Sequence, residues 1–209
     1  VALCDGRGLL IVNVANGELT AQLIADTARL AGAAVVVIES APDVAAIANA
    51  LDTDGCDLMV TIGGTGVGHT DAVANALATR GTLIAHGIAL QPGRTTAIGR
   101  IHTTPVVALP GAPDQAFAAW WAIALPLLDR LSGRRSRKTL ALPLERKIAS
   151  GVGVAEVVLL IREQGSWAAL ATGDLSLDAI ARAEALLIVP GAAEGFAAGT
   201  VVDAYILRE

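Results

Sequence analysis

The sequence predicts an α/β protein built on a mostly parallel sheet and followed by a small all-β domain. Apolar runs that read as strands alternate with helix-length segments up to Gly133, the pattern of a sheet with crossover helices. Hydrophobic residues make up 54% of the chain but aromatics only 3%, so the core must be built from Ala, Val, Leu and Ile. That suits parallel strands covered by Ala-rich helices. Beyond Gly133 the apolar runs shorten and are separated by Gly, Ser and charged turns, as in small β domains. The expected domains are residues 1–133 and 134–209, and 209 residues suffice for a substantial core.

Gly8 to Val14 reads as the first strand and Gly17 to Leu30 as a helix, with Ala21, Leu23, Ile24, Thr27 and Leu30 on one face. A strand at Ala33 to Ile38 and a helix from near Pro42, favoured by Ser40 or Asp43, follow. Asp57 to Ile62 is the next strand and His69 to Arg80 the next helix. Thr82 to Ile88, Thr95 to Ile101 and Pro105 to Leu109 read as strands, and Asp114 to Leu131 as a helix interrupted near Pro126. Its Trp120 and Trp121 suit packing on the sheet or at a subunit contact better than base stacking. In the second part Leu140 to Leu144, Val154 to Ile161, Ala185 to Val189 and Val201 to Leu207 are the strand candidates.

Chemistry concentrates where the strand ending at Ile62 empties into Gly63-Gly64-Thr65-Gly66-Val67-Gly68, with Asp71 close behind. Glycines there let the backbone turn sharply and approach a ligand, with amide groups aimed at an anion. The positive end of the following helix would face the same ligand, at the carboxyl ends of the strands. Asp71 is either a metal-organising carboxylate or a helix cap. Pro-Gly pairs recur at Leu90-Gln91-Pro92-Gly93-Arg94 and at Leu109-Pro110-Gly111-Ala112-Pro113, as rigid turns or ligand loops.

The net charge of −5 and a single short basic run, Arg134 to Lys138, disfavour nucleic acid as a partner. Cys4 and Cys56 make neither a zinc site nor a disulfide framework and read as reduced thiols. His69, His86 and His102 lack metal-ligand spacing. No apolar stretch reaches membrane-span length and no signal peptide is visible, so the expectation is a soluble cytoplasmic protein. Val1 in place of Met suggests a fragment of a longer protein.

The three loop segments, in this order, resemble the molybdopterin-binding domain of the molybdopterin molybdotransferases, the MoeA family that includes the gephyrin E domain. The Gly-Gly-Thr-Gly spelling leans towards the related MogA and MoaB proteins, while the Val-Gly-x-x-Asp spelling leans back to MoeA. Glu184 to Pro190 and Gly195 to Val202 resemble the terminal β domain of MoeA, which MogA-like proteins do not have. The resemblance implies a three-layer sheet of the MoaB/Mog type and a pterin site formed by Gly63, Gly64, Thr65, Gly66, Gly68, Arg94, Arg100, Pro110, Gly111 and Pro113. It implies molybdopterin or adenylylated molybdopterin and molybdate as substrates, Mg2+ organised by Asp71 as catalytic and metal-binding residue, and a homodimer. Departures are equally specific. Gln91 stands where the family has a lysine, Ala112 replaces an asparagine, and the Thr-Gly-Asp-Glu segment expected after the first strand has no counterpart. Alternatives are a MogA-like adenylyltransferase and a non-catalytic pterin- or partner-binding module.

Overall fold

The computed structural model describes residues 8–14, 17–65, 71–133 and 137–208. Gly66, Gly68, His69, Cys4 and the basic residues Arg134 and Arg135 lie outside them. Contacts divide the chain into two units, residues 1–88 with 93–135, and residues 89–92 with 136–209.

The first unit is an α/β sheet in the order β2-β1-β3-β7-β6-β4. Its strands are β1 (Gly8–Val14), β2 (Ala34–Ser40), β3 (Leu58–Ile62), β4 (Thr82–His86), β6 (Ala97–Ile101) and β7 (Thr104–Leu109). β2, β1, β3 and β7 are mutually parallel, and β6 is antiparallel to both its neighbours. Every residue of β1 and β3 is buried, because helices cover both faces of the sheet centre. Leu10, Val12, Met59, Val106 and Ala108 pack against Ile47 and Leu51 of α2 (Val44–Leu51) and Val73 and Leu77 of α3 (Ala72–Arg80).

On the other face lie α1 (Glu18–Leu30) and α4 (Pro113–Ala119), which contact each other as well as the sheet. The buried stripe of α1 is Thr20, Ala21, Ile24, Ala25 and Ala28, whereas Leu30 is exposed. This corrects the expected face: small Ala25 and Ala28 let the helix come close, and the larger Leu30 is left in solvent. A π-helical turn at Trp120–Ala124 joins α4 to α5 (Leu125–Leu131). The expected interruption is thus a widened turn just ahead of Pro126. A proline lacks the N–H for a bond to the carbonyl four residues back and its ring clashes with it, which the wider turn relieves.

The second unit is a sheet in the order β11-β10-β12-β14-β8, made of β8 (Thr139–Pro143), β10 (Ala155–Glu163), β11 (Ser166–Thr172), β12 (Ala185–Val189) and β14 (Val201–Ile206). Its ends approach each other. Leu144 bridges to Trp167 and the Glu145 amide donates to the Trp167 carbonyl at 2.9 Å, so the sheet curls towards a barrel. Leu144, Val158, Leu160, Trp167, Leu187 and Val202 form its interior. A short helix, α6 (Leu177–Arg182), and the small ribbon of β9 (Ile148–Ala149) with β13 (Gly195–Phe196) complete it. The segment Ala89–Pro92 also belongs here and not with its sequence neighbours, because Leu90 and Gln91 (β5) pair with Ala155 and Glu156 of β10. Gln91 further donates to the Gly173 carbonyl at 3.0 Å.

Candidate functional site at the carboxyl edge of the first sheet

The chain runs from β1 outward to β2 and then returns to place β3 on the other side of β1. The crevice at such a reversal, outside the carboxyl ends of the strands, is the usual ligand position in open α/β sheets. Three local structures converge there. The first is the turn after β3. Gly63 and Gly64 have φ of +82° and +69°, a region that side-chain-bearing residues rarely enter. A Cβ on Gly64 would stand 2.8 Å from Val73 Cγ2 and 3.2 Å from Val14 Cγ1, so this backbone is pressed between α3 and β1.

The second is the turn after β7. The Gly63 amide donates to the Leu109 carbonyl at 3.1 Å, and a Cβ on Gly111 would lie 3.5 Å from Gly63 Cα. Pro110 is buried, and Pro113 is at the start of α4, where its missing N–H costs nothing and its fixed φ favours the helix. The third is the start of α1. The Thr20 hydroxyl donates to the Gly111 carbonyl at 2.7 Å, tying α1 to the second turn. Gly17 is the N-cap of α1 and supplies no side-chain acceptor, so among the described residues no side chain caps the first-turn amides of this helix.

Buried oxygens line the same edge. Asn13 donates to Glu39 at 2.8 Å, but its own Oδ1 has no hydrogen-bond partner among the described residues. The same holds for the hydroxyls of Thr61, near the end of β3, and Thr65, in the turn. A Cβ at position 17 would sit 2.4 Å from Asn13 Oδ1, so only glycine leaves that oxygen room. A buried polar atom left unpaired costs about 1–3 kcal/mol, which marks these groups as built for a partner.

Asp71 is 2% exposed and is the N-cap of α3, where Oδ1 accepts from the Ala74 amide at 2.9 Å. Oδ2 stands 2.8 Å from His86 Nε2 at the end of β4. Oδ1 is thus spent on the helix cap, whereas Oδ2 has only the His86 contact and, like Asn13 Oδ1, makes no hydrogen bond among the described residues. Among the described residues no group of three or more His, Cys, Asp or Glu side chains could hold a metal ion. The Asp71 carboxylate complements the positive end of α3 from within the chain.

Arg94 is exposed in the turn leading to β6, its carbonyl accepting from the Ile88 amide at 2.9 Å. Because Ala97 pairs with Ala108 near the end of β7, this turn is on the carboxyl edge. Arg100 is not. Its register partners are Pro105, near the start of β7, and Thr82, which puts it at the opposite edge of the sheet. The antiparallel course of β6 separates the two arginines. Asn13, Thr61 and Thr20 went unmarked in the sequence, although Asn13 within Gly8–Val14 and Thr61 within Leu58–Ile62 are polar breaks in otherwise apolar strands. The His86 partnership with Asp71 depends on long-range pairing and leaves no sequence signal.

Comparison with known proteins bears on the family and the fold. Residues 13–130 match the family described as "Probable molybdopterin binding domain". A Methanocaldococcus jannaschii protein named for molybdopterin biosynthesis is 28% identical over 155 residues, covering 73% of this chain and 37% of that protein. Molybdopterin molybdenumtransferase 2 of Mycobacterium tuberculosis is 35% identical over 127 residues, covering 56% of this chain and 31% of its own length. The chain thus spans about a third of the curated relatives it matches. In fold, the molybdopterin biosynthesis MoeA protein from Pyrococcus horikosii aligns with 96% of this chain and 54% of its own at a TM-score of 0.77 and 20% identity. With the family match covering more than half its length, the chain belongs to the molybdopterin-binding domain family of molybdenum cofactor biosynthesis.

Proposed function

We propose that the carboxyl edge of the first unit holds the phosphate-bearing end of molybdopterin, and that the chain is the pterin-binding part of a MoeA-type molybdotransferase. The observation that supports this most is the meeting of three elements: the Gly63–Thr65 turn, the Gly111 turn and the uncapped start of α1. Amides at a helix start favour a phosphate through both hydrogen bonding and the dipole. Thr65 supplies a buried hydroxyl that can donate to a phosphate oxygen, and Arg94 adds a cation on the same edge. Asp71 acts through its neighbours, holding α3 and His86 in place behind the turn. The reading includes adenylylated molybdopterin as an alternative ligand, and a cytoplasmic homodimer as compartment and assembly, both taken from the family resemblance.

The capping bond of Asp71 Oδ1 and the His86 contact at Oδ2 favour a supporting role for this carboxylate behind the turn. The fold likeness, which runs over 96% of the chain to a MoeA protein, favours the MoeA-type reading over the adenylyltransferase. Thr65→Val tests the site. The change keeps shape and removes a hydroxyl with no partner among the described residues, so stability should hold or rise while molybdopterin affinity, measured by titration calorimetry, falls about tenfold. Undiminished affinity would remove Thr65 from the site.

A further inference from the structure

We propose that the open end of the curled sheet in the second unit is a separate binding site for a small organic anion with an apolar body. A cavity of about 390 Å3 lies there, lined by Lys138, Leu140, Arg162, Trp167, Glu184 and Arg208 among others. The lining residues come from one end of the sheet: the start of β8, the end of β10, the start of β11, the approach to β12 and the end of β14. Mouths of curled sheets of this kind are common small-molecule sites, and the volume falls within their usual range.

The floor is apolar, with Trp167 fully buried beneath it and its indole N–H spent on the Leu140 carbonyl at 3.2 Å. The decisive residue is Arg162. Val158 and Leu160 face the interior, and the two-residue period of a strand puts Arg162 on the same row, opposite Trp167 in register. The side chain lies at the solvent boundary of the mouth, with its guanidinium beside the apolar floor. Its Nε pairs with Glu184 at 3.6 Å, and its terminal amino groups make no hydrogen bond among the described residues. That leaves a planar fork suited to a carboxylate. Arg208 is held by its donations to the Ile180 and Ala181 carbonyls, which fixes a second positive charge at the rim. Among the described lining residues the guanidinium groups of Arg162 and Arg208 outnumber the one carboxylate, Glu184. The surplus selects an anionic head group, and the floor selects an apolar tail.

Phenylbutyrate, phenylbutylamine and inorganic phosphate are the probes, titrated into the whole chain while NMR follows the Trp167 indole and Arg162 Nε–H signals. Phenylbutyrate should move both signals and bind about tenfold more tightly than the amine, and more tightly than inorganic phosphate. Arg162→Gln should remove that preference, Arg162→Lys should retain part of it, and Glu184→Gln should tighten phenylbutyrate binding. Thermal melting of each variant reports folding, since Arg162 is exposed along more than half its side chain. Equal binding of acid and amine, an unchanged affinity in Arg162→Gln, or no movement of the Trp167 signal at saturating phenylbutyrate would overturn the proposal. Because the probes and signals belong to the second unit, failure here leaves the pterin reading of the first unit intact.

Discussion

Asp71 shows how one carboxylate changes meaning once its partners are known. In sequence it is the one acid behind a glycine turn, which suits a metal site. In the fold it is buried, capping α3 and facing His86 at 2.8 Å. Asp71→Ala should therefore cost about 1–2 kcal/mol in urea unfolding, as a lost cap does. Asp71→Asn keeps an oxygen for the Ala74 amide and should cost less, with pterin affinity changed little. A metal-ligand role would show instead as a magnesium-dependent affinity that vanishes in Asp71→Asn. Cys56 supplies a second test at this scale. Burial, and then the charge of Asp57, push its thiol above the ordinary cysteine range; a backbone hydrogen bond opposes them, and Asp54 adds a lesser push upward. The nucleophile is the thiolate, so alkylation at neutral pH should be slower than for a free cysteine thiol, and should accelerate only as pH rises past the elevated pKa. Fast labelling at neutral pH would contradict this.

At the scale of elements, strands and helices of the first unit were legible because burial on both faces writes continuous apolar runs, as in Leu58–Ile62, and crossover helices write a different period. The glycine turn was legible for the same reason: few residues other than Gly63 and Gly64 tolerate the backbone it needs. Gly64→Ala should destabilise the fold by about 1–3 kcal/mol through positive φ and the 2.8 Å contact with Val73, and Val73→Ala should recover the steric part. What was illegible depends on distant partners. Leu90 and Gln91 read as a loop between strands until β10 pairs with them, and Arg100 reads as a site residue until the antiparallel register of β6 carries it to the far edge. The face of α1 was misjudged because counting large apolar residues overlooks Ala25 and Ala28, whose smallness allows close packing.

On the scale of the whole molecule, the two units divide the chemistry. The first gathers buried unpartnered oxygens, glycine backbone and an uncapped helix start at one sheet edge, and the family match of residues 13–130 falls on it. The second offers a cation-rimmed apolar mouth of its own. Since curated relatives extend well beyond the span matched here, insertion of molybdate is a property to be sought in those longer relatives, whereas pterin binding is the property to be tested on this chain. The most direct measurement is the affinity of the chain for molybdopterin before and after Gly111→Asp. Gly111 is exposed, lacks positive φ and has ordinary contact distance for a new Cβ, so the variant should fold with an unchanged melting temperature. A carboxylate placed there faces the phosphate, and affinity should fall about tenfold or more, with Gly111→Asn close to the parent protein. Equal affinity for molybdopterin in Gly111→Asp and in the parent chain would contradict the placement of the phosphate at this edge.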